Sequence, residues 1–453
     1  MMTMGKTAFI GFGEVNTPKD IIIKKCAEAA ERLEKNGLEL IKIFPVTDDY
    51  EENDIKSAVS VLEGERFDSI VICIAGWIPS HAVIKITEHF RHIPMVLWGL
   101  CGWTEDGGRL VTTADQAGTS ALRAVFDRLG YNFTYVYDII GLPSGADRVA
   151  DFCRAACAAE KLRHARVGMA GYRDMNLYGT LCDGVSLKKV TGVEIETFEL
   201  LEMVQRKEKL NNSEIAQTVS HIDGWRQLKP VSDVSKRKAA EWYLSAAELV
   251  SERGYDAVSL KDVDGMKKLL GYPPAPVFML LDQLSGVCTV PENDCLGSVT
   301  QLMVKYLTGQ CAAYLEFYEF FSDGVLAGVP DYIPQEITEG EITVMPAAFG
   351  ELDEGILNVS KVKPGMLTMC RLYERDGKYS IHMTVGEGIA PGKWEEAGWT
   401  QPAPQLPGLE IRLENTRAFA ENVMCQHYII SYGDNRGLLR DLCRILGIGV
   451  LET

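Results

Sequence analysis

The chain has 453 residues, with 46 Lys and Arg against 63 Asp and Glu, for a formal net charge of −17. That length is more than one hydrophobic core serves, so two or three domains are expected, and the acidic balance argues against nucleic acid and anionic membranes as partners, since both call for a basic face. There is no run of about 20 apolar residues and no charged-then-apolar leader, and the cysteines, such as Cys73, Cys288, Cys311 and Cys370, are scattered through apolar runs without a CxxC pair, which points to a reduced, cytoplasmic protein.

In chain order, short apolar strands alternate with helical patterns through the first third. The strands read at 7–12, 38–44, 69–77, 94–99 and 132–139, and the helices near 18–35, 52–62, 80–90 and 115–129. This alternation predicts a parallel, doubly wound sheet with ligands at the carboxyl ends of its strands. An Ala-rich helix follows at 147–163, and the pattern starts afresh at RVGMAGYRDM (166–175), with a helix near 178–190 and a strand at 193–200. A polar stretch, a long helix near 233–253 and a strand at 255–260 complete a second α/β domain.

The final third changes character. Residues 366–388 predict a hairpin turning at Arg375-Asp376-Gly377-Lys378, residues 408–415 another strand, and 434–446 a closing helix. The expected fold is therefore α/β: two doubly wound, Rossmann-like domains over 1–166 and 167–307, followed by an antiparallel β-rich, barrel-like domain over 308–453.

The residues that suggest chemistry lie late in the chain. Glu292, in VPENDCLGSV, follows the apolar run 276–284 and precedes the helical pattern Leu296, Val299, Leu302, Met303, Tyr306, so it stands near a helix N-terminus, where an anion is welcome. Glu316 lies 24 residues on, among aromatics, where a buried carboxylate needs a partner or a metal. Glu319 is its rival, but in an extended strand Glu316 and Glu319 face opposite ways, so only one of them can share a site with Glu292. His427 falls in a second strand-like run, CQHYIISYG. Two carboxylates and an imidazole form a metal-site inventory. An acid at a helix start is ordinarily a cap and a lone His in an apolar strand ordinarily a satisfied core residue, so the residues alone leave both readings open.

The ENDxL segment after an apolar stretch, the second acid 24 residues later beside aromatics, and the late His flanking a strand resemble the L-fucose isomerase and L-arabinose isomerase group of metal-dependent ketol isomerases, most clearly across 285–437. The resemblance implies that Glu292 and Glu316 are metal ligands and the acid/base pair, and that His427 completes the metal site. The second acid is Asp in typical fucose isomerases and Glu in arabinose isomerases. No His occurs between His221 and His382, where the arabinose type has a further ligand, so three protein ligands are expected here. The chain is shorter than a typical fucose isomerase. The resemblance also implies a homo-oligomer, hexameric in the family, and an active site to which a neighbouring subunit lends aromatics; Trp77 is similarly placed, and Trp399 is a second candidate for stacking on a sugar.

Such a site would move a carbonyl between C1 and C2 of an open-chain sugar through a cis-enediol, with the two carboxylates transferring protons. Oxygen-rich ligation with one imidazole suits Mn²⁺, with Mg²⁺ or Co²⁺ as alternatives. Two other readings share these residues: a sugar-binding sensor built on the tandem α/β domains, and a metal-dependent sugar epimerase or aldolase.

Other features weigh towards structure. Gly11-Phe12-Gly13 lacks the third glycine and the later acid of a dinucleotide loop. Cys153 and Cys157 share a face of an Ala-rich helix. His81, His89 and His92 have no acid or Cys placed to complete a site with them and read as surface or interface residues. Trp103 reads as packing, and Tyr172-Arg173 as a domain cap or an orienter of a sugar hydroxyl.

Overall fold

The computed structural model describes residues 5–329, 332–347, 354–392, 394 and 407–453. The chain divides into two compact units, Met1–Glu160 and Lys161–Thr453. Their main sheets are two parallel ones and a closed antiparallel barrel, accompanied among the described residues by one three-stranded and two two-stranded sheets.

In the first unit, β1 (Lys6–Phe12), α1 (Lys19–Lys35), β2 (Glu39–Val46), α2 (Asn53–Glu63), β3 (Ser69–Ile74), α3 (Ser80–Thr87), β4 (Met95–Gly99), α4 (Asp115–Leu129) and β5 (Phe133–Tyr137) alternate as the sequence predicts, and α5 (Ala146–His164) follows. The five strands are parallel in the order β2-β1-β3-β4-β5. Every residue of β3 and β4 is buried, which is why these strands read as unbroken apolar runs and not as alternating ones. On α1 the buried positions Ile22, Cys26, Ala29, Ala30 and Leu33 recur at helical spacing and form one stripe against the sheet. Gly11 is a packing glycine: a Cβ there would stand 2.8 Å from Cβ of Phe44.

The second unit opens with β6 (Arg166–Ala170), α6 (Gly184–Thr191) and β7 (Glu194–Phe198). The polar stretch after them holds two helices, α7 (Leu200–Lys207) and α8 (Asn212–Asp223), which the sequence reading leaves unassigned. Each is short and buries little: Met203 in the first, Ile215, Thr218 and Ile222 in the second. Their starts are nevertheless written in side chains, a Glu199/Glu202 capping box and an Asn211 cap that accepts from the Ser213 N–H. Then come α9 (Asp233–Arg253), β8 (Ala257–Leu260), α10 (Ala275–Leu280), β9 (Cys288–Val290) and α11 (Cys295–Thr308), giving a parallel sheet in the order β9-β8-β6-β7.

The barrel consists of β10 (Ala313–Phe321), β11 (Gly324–Gly328), β12 (Gly365–Arg375), β13 (Lys378–Ile389), β14 (Gly408–Leu413) and β15 (His427–Tyr432). These six strands pair antiparallel in the order β12-β15-β10-β11-β14-β13, and β13 closes back on β12. The predicted hairpin is β12–β13; its turn residues Asp376 and Gly377 both have positive φ, 53° and 74°, as a two-residue turn matched to strand twist requires. Strand alternation fills the interior with Leu315, Val325, Leu367, Met369, Leu409, Ile411 and Ile430. Between β14 and β15 lies α12 (Thr416–Glu421); after β15, α13 (Arg436–Leu446) leads to β16 (Gly449–Glu452), which runs parallel to the first part of β13. Helix α11 packs against β12 and β15 and so joins the parallel sheet to the barrel. No described helix is long and apolar enough to cross a membrane.

Candidate functional site

The site grows from the link between β9 and α11, at the carboxyl end of the second parallel sheet. Glu292 and Asn293 both take the left-handed backbone conformation, with φ of 62° and 53°. For residues with a Cβ this costs of order 1–3 kcal/mol each and persists only where neighbours enforce it. Here they do. The Glu292 N–H donates to Asp262 Oδ1 at 2.7 Å, the Asn293 N–H to the Leu260 carbonyl at 3.0 Å and the Asp294 N–H to Ser259 Oγ at 3.0 Å. The Asn293 side chain donates to the Tyr172 carbonyl.

Asp294 caps α11 by accepting from the Gly297 N–H at 2.9 Å, so Glu292 does stand just before a helix start, but the capping acid is its neighbour two residues on. A side chain at Gly297 would bring a Cβ to 2.6 Å from Asp294 Oδ2 and 2.9 Å from Arg371 Nη1, which explains the glycine. Asp294 is completely buried and paired with Arg371, itself 1% exposed, through Nη1–Oδ2 at 2.5 Å and Nη2–Oδ1 at 2.9 Å. Burial pushes the Asp294 carboxyl up, yet Arg371, the Gly297 N–H and the Tyr314 hydroxyl outweigh it and hold the group below the usual carboxylate range.

Glu316 on β10 and His427 on β15 are direct register partners. Beyond Phe317 the register of β10 shifts, and Glu319 ends up exposed, so Glu316 is the acid that shares a site with the histidine. His427 lies between the two carboxylates. Its Nδ1 is 3.6 Å from Glu292 Oε2 and its Nε2 is 4.0 Å from Glu316 Oε2, with the imidazole 2% exposed and the Glu292 and Glu316 side chains 13% and 31%. Gln426 Nε2 donates to Glu292 Oε2 at 3.4 Å. Tyr314 stacks on the imidazole, centroids 4.3 Å apart and planes within 19°.

Two buried cations stand in the cluster, Lys267 at 3.3 Å from Asp262 and Arg371 on Asp294, and burial dominates the titration of both Glu292 and His427. Burial, then the like charges of Asp262, Glu316, Asp294 and Asp174, raise the Glu292 carboxyl to about 9. Burial lowers the His427 imidazole to about 3, against the opposing pull of Asp294. At neutral pH both groups are therefore uncharged, one holding a proton and the other offering a lone pair. His427 Nδ1 is buried and has no hydrogen-bond partner.

These donors suit a hard divalent cation: two carboxylates and a neutral imidazole, with an orphaned buried nitrogen and a carboxylate kept protonated by burial and then by its acidic neighbours. Among the described residues no three His, Cys, Asp or Glu side chains stand in ligating positions together, and His427 turns Nδ1 to Glu292 and Nε2 to Glu316.

Several contributors escaped the sequence reading. Asp262, Asp174, Asp294, Arg371 and Tyr314 build or charge the site. Arg371, a lone cation inside the apolar run of β12, was the strongest available signal, since a buried charge demands a partner. The reading of the cysteines as uniformly reduced is corrected at one pair: Cys182 and Cys295 are disulfide-linked, tying the segment after β6 to the first residue of α11, while ten others are free.

Trp77 belongs to the first unit, after β3, with its backbone N–H bonded to the Thr113 carbonyl at 2.7 Å and its side chain partly exposed. Trp399 lies outside the described residues. A cleft of about 680 Å³ in the first unit, between α1 and the segments after β4 and β5, is lined by Lys25, Trp98, Trp103 and Asp138 and includes none of the expected site residues.

No family model matches the chain, and no curated protein matches it. Among solved structures it is similar to an ABC transporter periplasmic solute binding protein from Actinobacillus succinogenes with bound D-allose, at 13% identity over 67% of this chain and 92% of that one, with a TM-score of 0.18. A likeness of that size carries no argument about this chain.

Proposed function

We propose that the chain is a divalent-metal-dependent aldose–ketose isomerase acting on a small open-chain sugar. The observation that supports this best is the placement of His427 between Glu292 and Glu316 in a buried setting with one carboxylate protonated near neutral pH. Glu292, Glu316 and His427 would hold the ion, Mn²⁺ by preference with Mg²⁺ or Co²⁺ as alternatives. When bound, the ion supplies Lewis-acid polarisation of the sugar carbonyl and charge stabilisation of the enediolate.

The chain's own residues carry the proton traffic. One carboxylate removes the proton on the carbon beside the carbonyl and returns it to the neighbouring carbon, passing through a cis-enediol. The other moves a proton between the two sugar oxygens. Such transfers typically contribute about 100- to 10,000-fold. Tight backbone anchoring of Glu292 fixes one acid, and the β10–β15 register fixes the other opposite His427. By the same resemblance we propose a cytoplasmic homo-oligomer, hexameric as in the family, with Trp77 and Trp399 as sugar-stacking candidates.

The test is proton NMR of the Mn²⁺-loaded protein in D₂O with a panel of aldoses and ketoses. Deuterium entering at C1 or C2, or ketose formation, that vanishes in Glu292→Gln supports the proposal. No exchange into any sugar with Mn²⁺ demonstrably bound would overturn it for simple aldoses.

A further inference from the structure

We propose that Asp294 is a positioning residue for His427: it anchors the hydroxyl of Tyr314, and the Tyr314 ring sets the plane in which the imidazole lies. Asp294 is not itself available to a ligand. Its two oxygens accept from the Gly297 N–H, from both Arg371 nitrogens and from the Tyr314 hydroxyl at 2.8 Å, which uses the roughly four acceptor positions a carboxylate has. Its chemistry is therefore to hold.

What it holds follows from the strand register. Tyr314 and Glu316 share a face of β10, and His427 is opposite Glu316 on β15, so Tyr314 is its diagonal neighbour and covers the ring. Histidines that ligate metals are ordinarily oriented by a hydrogen bond from the second ring nitrogen to a carboxylate or carbonyl. His427 lacks that bond: Nδ1 has no partner and Nε2 stands 4.0 Å from Glu316. The stack with Tyr314 replaces it as the device that fixes the ring. Tyr314 is itself buried, with its hydroxyl tied to Asp294, and Asp294 is locked by Arg371 from β12. The chain of contacts Arg371–Asp294–Tyr314–His427 thus links the helix cap of α11 to the ring across the barrel.

The consequence for catalysis rests on the proposed isomerase site; the orientation of the ring does not. The test is long-range proton–nitrogen NMR of the full chain labelled at its seven histidines, with His427 identified by its loss in His427→Asn. Tyr314→Phe keeps the ring and removes only the hydroxyl, and is the deciding variant because Asp294→Asn leaves Arg371 buried without its counter-charge and is expected to destabilise the fold. In folded Tyr314→Phe the His427 nitrogen signals are expected to shift or broaden while those of His382 stay put, and Mn²⁺ affinity is expected to fall about 10- to 100-fold, the usual effect of losing an outer-shell partner. A folded Tyr314→Phe whose His427 signals and Mn²⁺ affinity match the wild type overturns the inference. If the wild type exchanges deuterium into no sugar yet His427 shifts in Tyr314→Phe, the positioning role stands and the isomerase reading alone falls.

Discussion

His382 and His427 lie on different strands of one barrel, both sealed from solvent. Around His382 each ring nitrogen is used, Nδ1 at 2.6 Å from the Tyr428 hydroxyl and Nε2 at 3.0 Å from the Thr453 hydroxyl. Around His427 there is no comparable bond, only two carboxylates at 3.6 and 4.0 Å and a stacked tyrosine. Burial lowers both imidazoles, to about 4 and about 3, so both are neutral at pH 7. The lesson is that burial does not separate a structural histidine from a functional one. The unused lone pair does, together with the two carboxylates that flank it.

The comparison extends to two acids on one turn. Asp294 has Arg371 and is held ionised; Glu292, two residues earlier, is buried among further acids and is held protonated. Replacing Glu292 is expected to produce the largest effect in the molecule. Glu292→Gln should lower turnover about 100- to 10,000-fold in a ketose-formation assay while the chain stays folded. A variant with near wild-type turnover would return Glu292 to the role of a loop residue.

The two histidines should separate next. His427→Asn, which removes a ligand itself, is expected to weaken Mn²⁺ by more than the roughly 100-fold that losing an outer-shell partner costs at most, with little loss of thermal stability. His382→Asn should leave Mn²⁺ binding unchanged and cost about 1–3 kcal/mol in denaturant unfolding, because the Tyr428 and Thr453 hydroxyls lose their partner. The opposite pattern would exchange the two assignments.

A pH series on the metal-free chain sharpens the same contrast. Glu292 is raised from 4.5 to about 9, so the folded chain holds this proton more tightly than the unfolded one; its contribution to stability is full below about pH 4.5 and is lost as pH rises towards 9. His427 is lowered from 6.5 to about 3, so the unfolded chain takes up the proton between those values and this group's contribution grows with pH up to about 6.5. His382, lowered to about 4, acts in the same direction over the upper part of that window. Between pH 6.5 and 9 only the Glu292 contribution changes among these three, and it lowers the melting temperature. Glu292→Gln should remove that fall. The smallest effect is expected at Glu319: being exposed, Glu319→Gln should change stability by no more than about 0.5 kcal/mol and leave turnover unchanged.

Much of the fold was legible because periodicity and packing agree. The buried strands of the first unit are apolar runs, α1 carries a helical stripe, and the β12–β13 turn is written in Asp376-Gly377. Helices α7 and α8 were not legible, since each buries no more than about one residue per turn among charges; only their caps announced them. In the site, Glu292 and Glu316 could be found from spacing and resemblance; strand alternation said only that one of Glu316 and Glu319 could share the site, the resemblance chose Glu316, and the structure adds the register shift beyond which Glu319 is exposed. His427 was singled out by the resemblance alone, because locally it and His382 are each a lone histidine in an apolar strand and their difference lies in partners supplied by Tyr428, Thr453 and Tyr314 from elsewhere. The Asp294–Arg371 pair spans 77 positions, a separation at which no local pattern speaks.

The central claim is that Glu292, Glu316 and His427 hold a divalent ion at a carboxylate that is otherwise protonated. Calorimetric titration with Mn²⁺ at pH 7 in buffers of different ionisation enthalpy tests it directly. Because Glu292 keeps its proton to about pH 9 without the ion, binding should release about one proton per ion, and the release should disappear together with most of the affinity in Glu292→Gln. Binding without proton release, or with equal affinity in the variant, would place the ion elsewhere and contradict the account.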